Sequence, residues 1–102
     1  MASDLVAHRD CLVTGSSRGI GLGAARALAA HGANVTLHGR DEEALRLALA
    51  GLHPPGRHQY MAADLAERGG VERLTEKTCR RLARLDVLIH SAGSLGPRFP
   101  LA

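Results

Sequence analysis

The chain has 102 residues and a mass of 10.7 kDa, which allows one domain at most. Hydrophobic residues make up 45% and charged residues 23%, which excludes a disordered tail, and the apolar runs are too short for a transmembrane helix. The net charge is +3, but the basic residues are interspersed and only one Tyr and one Phe are present, so nucleic-acid binding is not expected.

Short apolar runs alternate with longer amphipathic segments along the chain. The pattern predicts strands over residues 10–14, 34–38, 58–62 and 86–90. It predicts helices over residues 20–31, from an N-cap at Asp41 to Leu52, and over residues 71–85. One apolar face of the first helix is expected to carry Ile20, Ala24, Ala27 and Leu28.

The order β-α-β-α-β-α-β predicts an α/β fold with a parallel, doubly wound sheet. Right-handed crossovers place the strands in the spatial order third, second, first, fourth, with helices on both faces. A doubly wound domain usually has six or more strands, so four strands with three helices correspond to about half of one. We therefore interpret residues 1–102 as the N-terminal half of a nucleotide-binding domain, truncated in a loop-like tail.

The turn between the first strand and the first helix reads Thr-Gly-Ser-Ser-Arg-Gly-Ile-Gly over residues 14–21. In such a turn Gly15 allows a sharp bend, Gly19 allows the backbone to approach a phosphate, and Gly21 allows the helix to pack on the sheet. Free amides at the helix N-terminus then face a pyrophosphate. A nucleotide-hydrolysing phosphate loop is excluded, because no Gly-Lys-Ser/Thr follows. A glycine-rich turn without a ligand is the alternative.

This turn resembles the TGxxxGxG fingerprint of the short-chain dehydrogenase/reductase family, and it matches every fixed position. Asp64-Leu65 follows the third strand, where the family has an Asp that contacts adenine. Residues 90–93 read His-Ser-Ala-Gly where the family usually has Asn-Asn-Ala-Gly. The resemblance implies a Rossmann-like fold and a nicotinamide cofactor. The cofactor-binding residues that it implies are Gly15, Ser16, Ser17, Arg18, Gly19, Ile20, Gly21, Arg40, Asp64, Leu65, Ser91, Ala92 and Gly93.

Two of these positions need comment. Ser91 replaces an Asn that in relatives helps to hold the central strands together, and a Ser side chain is shorter and offers one hydroxyl. Asp64 has a second interpretation as an ordinary N-cap for the segment that follows it.

The end of the second strand bears on the choice of cofactor. An NAD site generally places a carboxylate there to accept hydrogen bonds from the ribose 2′-hydroxyl. This chain has Gly39 and then Arg40, and a guanidinium offers a planar set of donors to a 2′-phosphate. Arg18 lies in the glycine turn nearby. In the family an Arg at either position accompanies NADP, so NADP is expected rather than NAD. Two solvated surface arginines are the alternative interpretation.

The catalytic apparatus of the family is a Tyr, a Lys four residues further along, and a Ser. The only tyrosine here is Tyr60, with Asp64 four positions later, and the only lysine is Lys77. The family places this apparatus beyond residue 102, so no catalytic residue is assigned in the chain. We expect the NADP(H)-binding portion of an oxidoreductase that transfers hydride between the nicotinamide and a carbonyl or alcohol substrate. The alternative is a stand-alone nucleotide-binding or regulatory module without catalysis.

The cysteines and histidines suggest no further chemistry. Cys11 and Cys79 form neither a CxxC motif nor a disulfide framework, which favours a reducing cytoplasm. The six histidines lack metal-ligand spacing and are interpreted as turn, strand-end and surface residues, so no metal site is expected. No membrane association is expected, and a homo-oligomer is expected of the full-length parent because the family forms dimers and tetramers.

Overall fold

Strands and helices alternate along the part of the chain that the structure, a computed structural model, describes: residues 5–55 and 57–91. The strands are β1 (Asp10–Thr14), β2 (Asn34–Gly39), β3 (Gln59–Ala62) and β4 (Val87–His90). The helices are α1 (Gly19–Ala30), α2 (Glu42–Ala50) and α3 (Gly70–Arg81). The predicted order of elements is confirmed. None of the described helices is both long and apolar enough to span a bilayer.

The four strands form one parallel sheet in the order β3-β2-β1-β4, as the sequence predicts. Cys11 of β1 is opposite Val35 of β2 on one side and Val87 of β4 on the other. The first two crossovers move the chain in one direction across the sheet, and the third returns it to the far side of β1. Ligands of such sheets bind at the carboxyl ends of the strands where this direction reverses, which here lies between β1 and β4.

The core lies mainly between the sheet and the pair of helices α1 and α2. Alternate residues of β1 and β2 point to these helices and are fully buried, and they include Val13, Val35 and Leu37. Leu45 packs on them from α2. Helix α3 covers the opposite face, where Thr78 contacts Met61 of β3. Burial of each large aliphatic side chain stabilises the fold by about 1.5–3 kcal/mol.

The predicted apolar face of α1 is correct only in part: Leu28 packs against the core and Ala24 is half-buried, but Ile20 and Ala27 are exposed. Ile20 is 88% exposed, whereas the buried residues of the helix are Gly21, Ala25 and Ala29. These three residues are spaced by four positions, so they lie on one face of the helix, and each has a very small side chain or none. They allow the helix backbone to approach the sheet closely, and this close approach takes precedence over burial of the larger Ile side chain.

The other two helices differ in how well the sequence predicts their ends. Asp41 is the N-cap of α2 as expected, and its Oδ1 accepts hydrogen bonds from the amides of Glu43 and Ala44 at 3.0 and 3.4 Å. Helix α3 ends at Arg81, four residues before the predicted end, because Leu82 is extended with φ −110° and ψ 123°.

Candidate functional site

The predicted site residues lie at one edge of the sheet. The glycine turn follows β1, Arg40 follows β2, Asp64 lies two residues after β3, and Ser91 follows β4. Because all four strands are parallel, their carboxyl ends meet at this edge. Of the predicted residues, Ala92 and Gly93 lie outside the described residues.

The glycine turn has the backbone geometry that its sequence suggests. Gly15 and Gly19 have φ values of 63° and 64°, in the left-handed region that favours glycine. A Cβ atom on Gly21 would lie 2.2 Å from the carbonyl oxygen of Gly15 and 2.5 Å from Oγ of Ser91. A Cβ on Gly19 would meet no atom within 4 Å. Gly21 is therefore required by packing, whereas Gly19 borders open space where a ligand can approach.

The N-terminus of α1 lies beside this space. No side chain of the N-cap or of an acidic residue in its first turn accepts hydrogen bonds from its free amides. Its N-cap residue, Arg18, is extended and makes no capping hydrogen bond through its side chain. The first turn contains no acidic residue, so the positive end of the helix dipole is not neutralised locally. Ser17 is half-buried and Ile20 is exposed at the same end. The arrangement suits an anionic group.

Ser16 and His38 connect the glycine turn to β2. The Ser16 side chain is fully buried, and its hydroxyl donates to the carbonyl of Val13 at 2.7 Å and accepts the amide of His38 at 2.9 Å. The amide of Ser16 donates to the His38 carbonyl at 2.8 Å. The His38 ring accepts the Gly15 amide at Nδ1, at 3.1 Å, and Nε2 lies 2.9 Å from the carbonyl of Ala63.

Sequence reasoning missed the importance of His38. It is a strand-end residue as expected, but only 2% of it is exposed, which no surface histidine would show. Burial lowers the pKa of His38, and the hydrogen bond to Ala63 opposes this while the neighbouring His90 adds to it. The available signal was an ionisable residue in a strand without charged residues, immediately before the Gly39-Arg40 pair.

Ser91 holds the end of β4 to β1 despite its short side chain. Its hydroxyl donates to the carbonyl of Thr14 at 2.8 Å, and its amide lies 3.1 Å from the Thr14 hydroxyl. The Thr14 hydroxyl is also 2.9 Å from Nδ1 of His90. The Ser91 hydroxyl also lies against α1, because a Cβ on Gly21 would come within 2.5 Å of its oxygen.

The end of β2 is shaped by Gly39. Gly39 is buried, and a Cβ at this position would lie 3.3 Å from both Leu45 and the Ser17 hydroxyl. Arg40 and Arg18 are both exposed, and neither forms an ion pair within residues 5–55 and 57–91. Arg40 directly follows Gly39 in the chain, and Arg18 directly follows Ser17, whose hydroxyl a Cβ on Gly39 would approach to 3.3 Å.

Asp64 and Leu65 begin the loop that follows β3. Oδ1 of Asp64 accepts the amide of Ala66 at 2.9 Å, so the carboxylate stabilises a turn in this loop. It is not the N-cap of α3, because Gly69 has that position. Leu65 is half-buried beside an apolar groove between α3 and the sheet.

Tyr60 and Lys77 are each hydrogen-bonded to a different group. The Tyr60 hydroxyl donates to the Glu42 carboxylate at 2.9 Å, and this bond raises the pKa of the phenol. A tyrosine that acts as a general acid in reduction needs the opposite shift. Lys77 donates to the carbonyl of Ala62 at 3.0 Å. Neither residue has the surroundings of a catalytic pair.

No cluster of three metal-ligating side chains occurs among the residues that the structure describes. Both cysteines are free: Cys11 is buried and Cys79 is exposed.

Comparison with known proteins shows where this arrangement recurs. Residues 9–100 match the family model for short chain dehydrogenases. A 3-oxoacyl-[acyl-carrier-protein] reductase of rhamnolipid biosynthesis from Pseudomonas aeruginosa is 40% identical over 89 residues, covering 87% of this chain and 35% of that protein. The uncharacterized oxidoreductase YciK of Escherichia coli is 38% identical over 109 residues, covering 97% of this chain and 41% of its own length.

Solved structures give the same result. An NADP complex of RhlG from Pseudomonas aeruginosa superimposes with a TM-score of 0.80 at 41% identity, covering 86% of this chain and 36% of that one. The chain therefore spans between a third and a half of the length of these relatives.

Proposed function

Because the chain belongs to the short-chain dehydrogenase family, we propose that it forms the NADP(H)-binding portion of an oxidoreductase. The parent reaction would be hydride transfer between the nicotinamide and a small carbonyl or alcohol substrate. The observation that carries the proposal is the open glycine turn at the N-terminus of α1, beside a strand end that bears Arg in place of a carboxylate.

The residues present fit a dinucleotide. The turn from Gly15 to Gly21 offers backbone amides and open space at Gly19, so it would hold the pyrophosphate. Asp64 and Leu65 lie at the end of β3, where they would contact the adenine. Ser91 directly follows β4, beside the end of β1. Together with Ala92 and Gly93 it would border the nicotinamide ribose. The bound cofactor would supply the hydride, and the chain would bind and orient it.

The preference for NADP(H) rests on charge. Arg40 and Arg18 are exposed beside the buried Gly39, so both guanidinium groups are available to a 2′-phosphate. Each hydrogen bond between Arg and phosphate contributes about 1.5–3 kcal/mol, so a preference of ten-fold or more is expected. The NADP complex of RhlG supports this assignment by similarity.

A stand-alone nucleotide-binding module remains the second candidate. The observation behind it is that Tyr60 and Lys77 are hydrogen-bonded to Glu42 and Ala62 and not to each other. The two candidates differ in the sequence that each predicts beyond this chain, and not in the activity of the chain alone. Purified as a 102-residue polypeptide, either should show no carbonyl reduction with NADPH, but only the first predicts a Ser and a Tyr-x-x-x-Lys motif in the reading frame beyond Ala102.

The cofactor proposal is tested by titrating NADPH and NADH into the full-length protein and following nucleotide fluorescence. NADPH is expected to bind at least ten-fold more tightly than NADH. Arg40→Asp is expected to remove this preference, because a carboxylate repels the 2′-phosphate and accepts a hydrogen bond from the 2′-hydroxyl.

Arg57→Asp is the matched control. It makes the same change in charge, but Arg57 is exposed two residues before β3, at the opposite edge of the sheet. Its effect on the ratio of affinities should stay within about two-fold, as expected for distant, screened charges. Equal affinity for the two cofactors in the unmodified protein would contradict the assignment of NADP.

A further inference from the structure

Among residues 5–55 and 57–91, the ionisable side chain of His38 joins two of the loops at the proposed site. It precedes Gly39 at the end of β2 and is 2% exposed. Its partner in the sheet is Met61 of β3. The ring spans from the glycine turn to the loop after β3, touching the Gly15 amide with one nitrogen and the Ala63 carbonyl with the other.

These two partners determine where the ring proton lies. A backbone amide is only a donor, so Nδ1 must accept from Gly15 and cannot carry a proton. A backbone carbonyl is only an acceptor, so Nε2 must donate its proton to Ala63. The geometry is therefore compatible with the neutral ring protonated at Nε2 and with no other form.

The backbone of His38 strengthens the same link. Its amide donates to Oγ of Ser16 and its carbonyl accepts the Ser16 amide, so the glycine turn is bound to this one residue at several points. Ala63 directly precedes Asp64, the residue expected at the adenine. His38 thus fixes the position of the proposed pyrophosphate-binding turn relative to the proposed adenine-binding loop.

We propose that His38 is a positioning residue of the dinucleotide site, and that only its neutral form supports cofactor binding. This inference rests on the proposed function. Protonation at Nδ1 would place a second N–H group against the Gly15 amide, which replaces a hydrogen bond by repulsion between two donors. The turn would then lose its fixed relation to the loop after β3, and affinity for the cofactor would fall.

The charged groups around the ring determine the direction of the pH dependence. Burial lowers the pKa of His38, and His90 on β4 adds to this effect. Around the loop after β3, Lys77 of α3 donates to Ala62 and the Asp64 carboxylate accepts the Ala66 amide. The ring therefore stays neutral at neutral pH, and affinity should decline only below the ordinary histidine value of about 6.5.

The test compares NADPH affinity in three forms of the full-length protein across pH 5 to 8. His38→Leu removes both ring hydrogen bonds and should weaken binding about ten-fold at pH 7.5, the effect of one lost buried link. His38→Gln keeps an uncharged donor and acceptor, so it should retain most of the affinity. The affinity of the unmodified protein for NADPH should fall more steeply in acid than the affinity of His38→Gln, because the Gln side chain does not gain a proton.

His58 provides the matched control within the same chain. Its Nδ1 accepts the amide of Val35 at 3.0 Å and its Nε2 lies 3.0 Å from the carbonyl of Pro54, so it has the same bonding pattern at the other end of β2. His58→Leu should destabilise the fold without changing NADPH affinity. The 2′-phosphate of the cofactor also titrates near pH 6, but it does so equally with every variant.

The outcomes separate this inference from the proposed function. NADPH binding that is unchanged in His38→Leu, or weakened equally by His58→Leu, would overturn the positioning role while leaving the cofactor assignment intact. If the folded, unmodified protein binds neither NADPH nor NADH, the cofactor assignment fails and the inference fails with it. If His38→Leu does not fold, the pH profile of His38→Gln against the unmodified protein decides the matter.

Discussion

At the scale of single residues, the spacing between α1 and the sheet depends on Gly21. A Cβ atom there would overlap the carbonyl oxygen of Gly15, which is backbone and has no side-chain freedom with which to move away. Gly21→Ala should therefore displace the helix and lower the free energy of unfolding by about 1–3 kcal/mol. Urea unfolding followed by circular dichroism measures this change.

Gly23 offers a control two residues further along the same helix. It is exposed, and a Cβ added there would meet no atom within 4 Å. Gly23→Ala should stabilise the protein by about 0.5–1 kcal/mol, because alanine loses less backbone entropy in a helix. Equal effects of the two substitutions would show that helix propensity, and not the contact with Gly15, determines the requirement for glycine.

At the scale of elements, Asp86 joins the start of β4 to the start of β1. Its Oδ2 accepts the amide of Asp10 at 2.8 Å, and Arg84 donates to the same carboxylate at 2.7 Å. Arg84, the Asp10 amide and Arg9 lower the pKa of Asp86, with Arg84 making the largest contribution. The ionised form of Asp86 is thus favoured by the folded state.

This shift has a defined effect on stability in acid. Between the ordinary Asp value of about 3.9 and the lower value in the folded protein, the unfolded chain binds a proton that the folded chain does not. The stabilisation that ionised Asp86 contributes has its full value above this pH window. It is lost as the pH falls through the window. Asp86→Asn should lower stability at pH 7 and flatten the dependence on pH below 4.

Glu76→Gln is the control for this experiment. Glu76 and Arg80 are 4.0 Å apart and both are largely exposed, so the loss of this pair should change stability little. Unfolding midpoints measured from pH 2 to 7 would contradict the role of Asp86 if both variants followed the unmodified curve.

The elements also show how far the sequence predicts the structure. The strands are predicted within one residue at each end, because buried parallel strands are short apolar runs bounded by Gly or charged residues. The apolar face of α1 is predicted only in part, because hydrophobicity selects Ile20 whereas the close approach at Gly21 decides the packing. Likewise, the spacing of apolar residues cannot indicate that Leu82 leaves the helix.

The site was predicted unevenly for a similar reason. Residues recognised by a local motif, such as the glycine turn, lie where the motif places them at the carboxyl edge of the sheet. The role proposed for His38 depends on two partners, Gly15 and Ala63, that are 23 and 25 residues away in sequence. Such a link exists only after the strands have paired, so no local pattern indicates it.

At the scale of the whole molecule, β4 leaves apolar surface accessible. It pairs with β1 on one side, and the described residues provide no strand on its other side. Leu88 is 58% exposed and borders the apolar groove between α3 and the sheet, which Leu74 and Leu82 also line. Unpaired strand edges beside apolar side chains are templates for pairing with another chain.

We therefore expect a polypeptide of these 102 residues to self-associate or to be loosely packed, with a sedimentation profile that depends on concentration. Leu88→Lys places a charge beside the open edge and should shift the profile toward the monomer, because edge charges prevent strand pairing. Leu47→Lys is the control, because Leu47 is 69% exposed on α2, away from this edge. A monodisperse monomer with a sharp cooperative melt, or equal effects of the two lysines, would contradict association through β4.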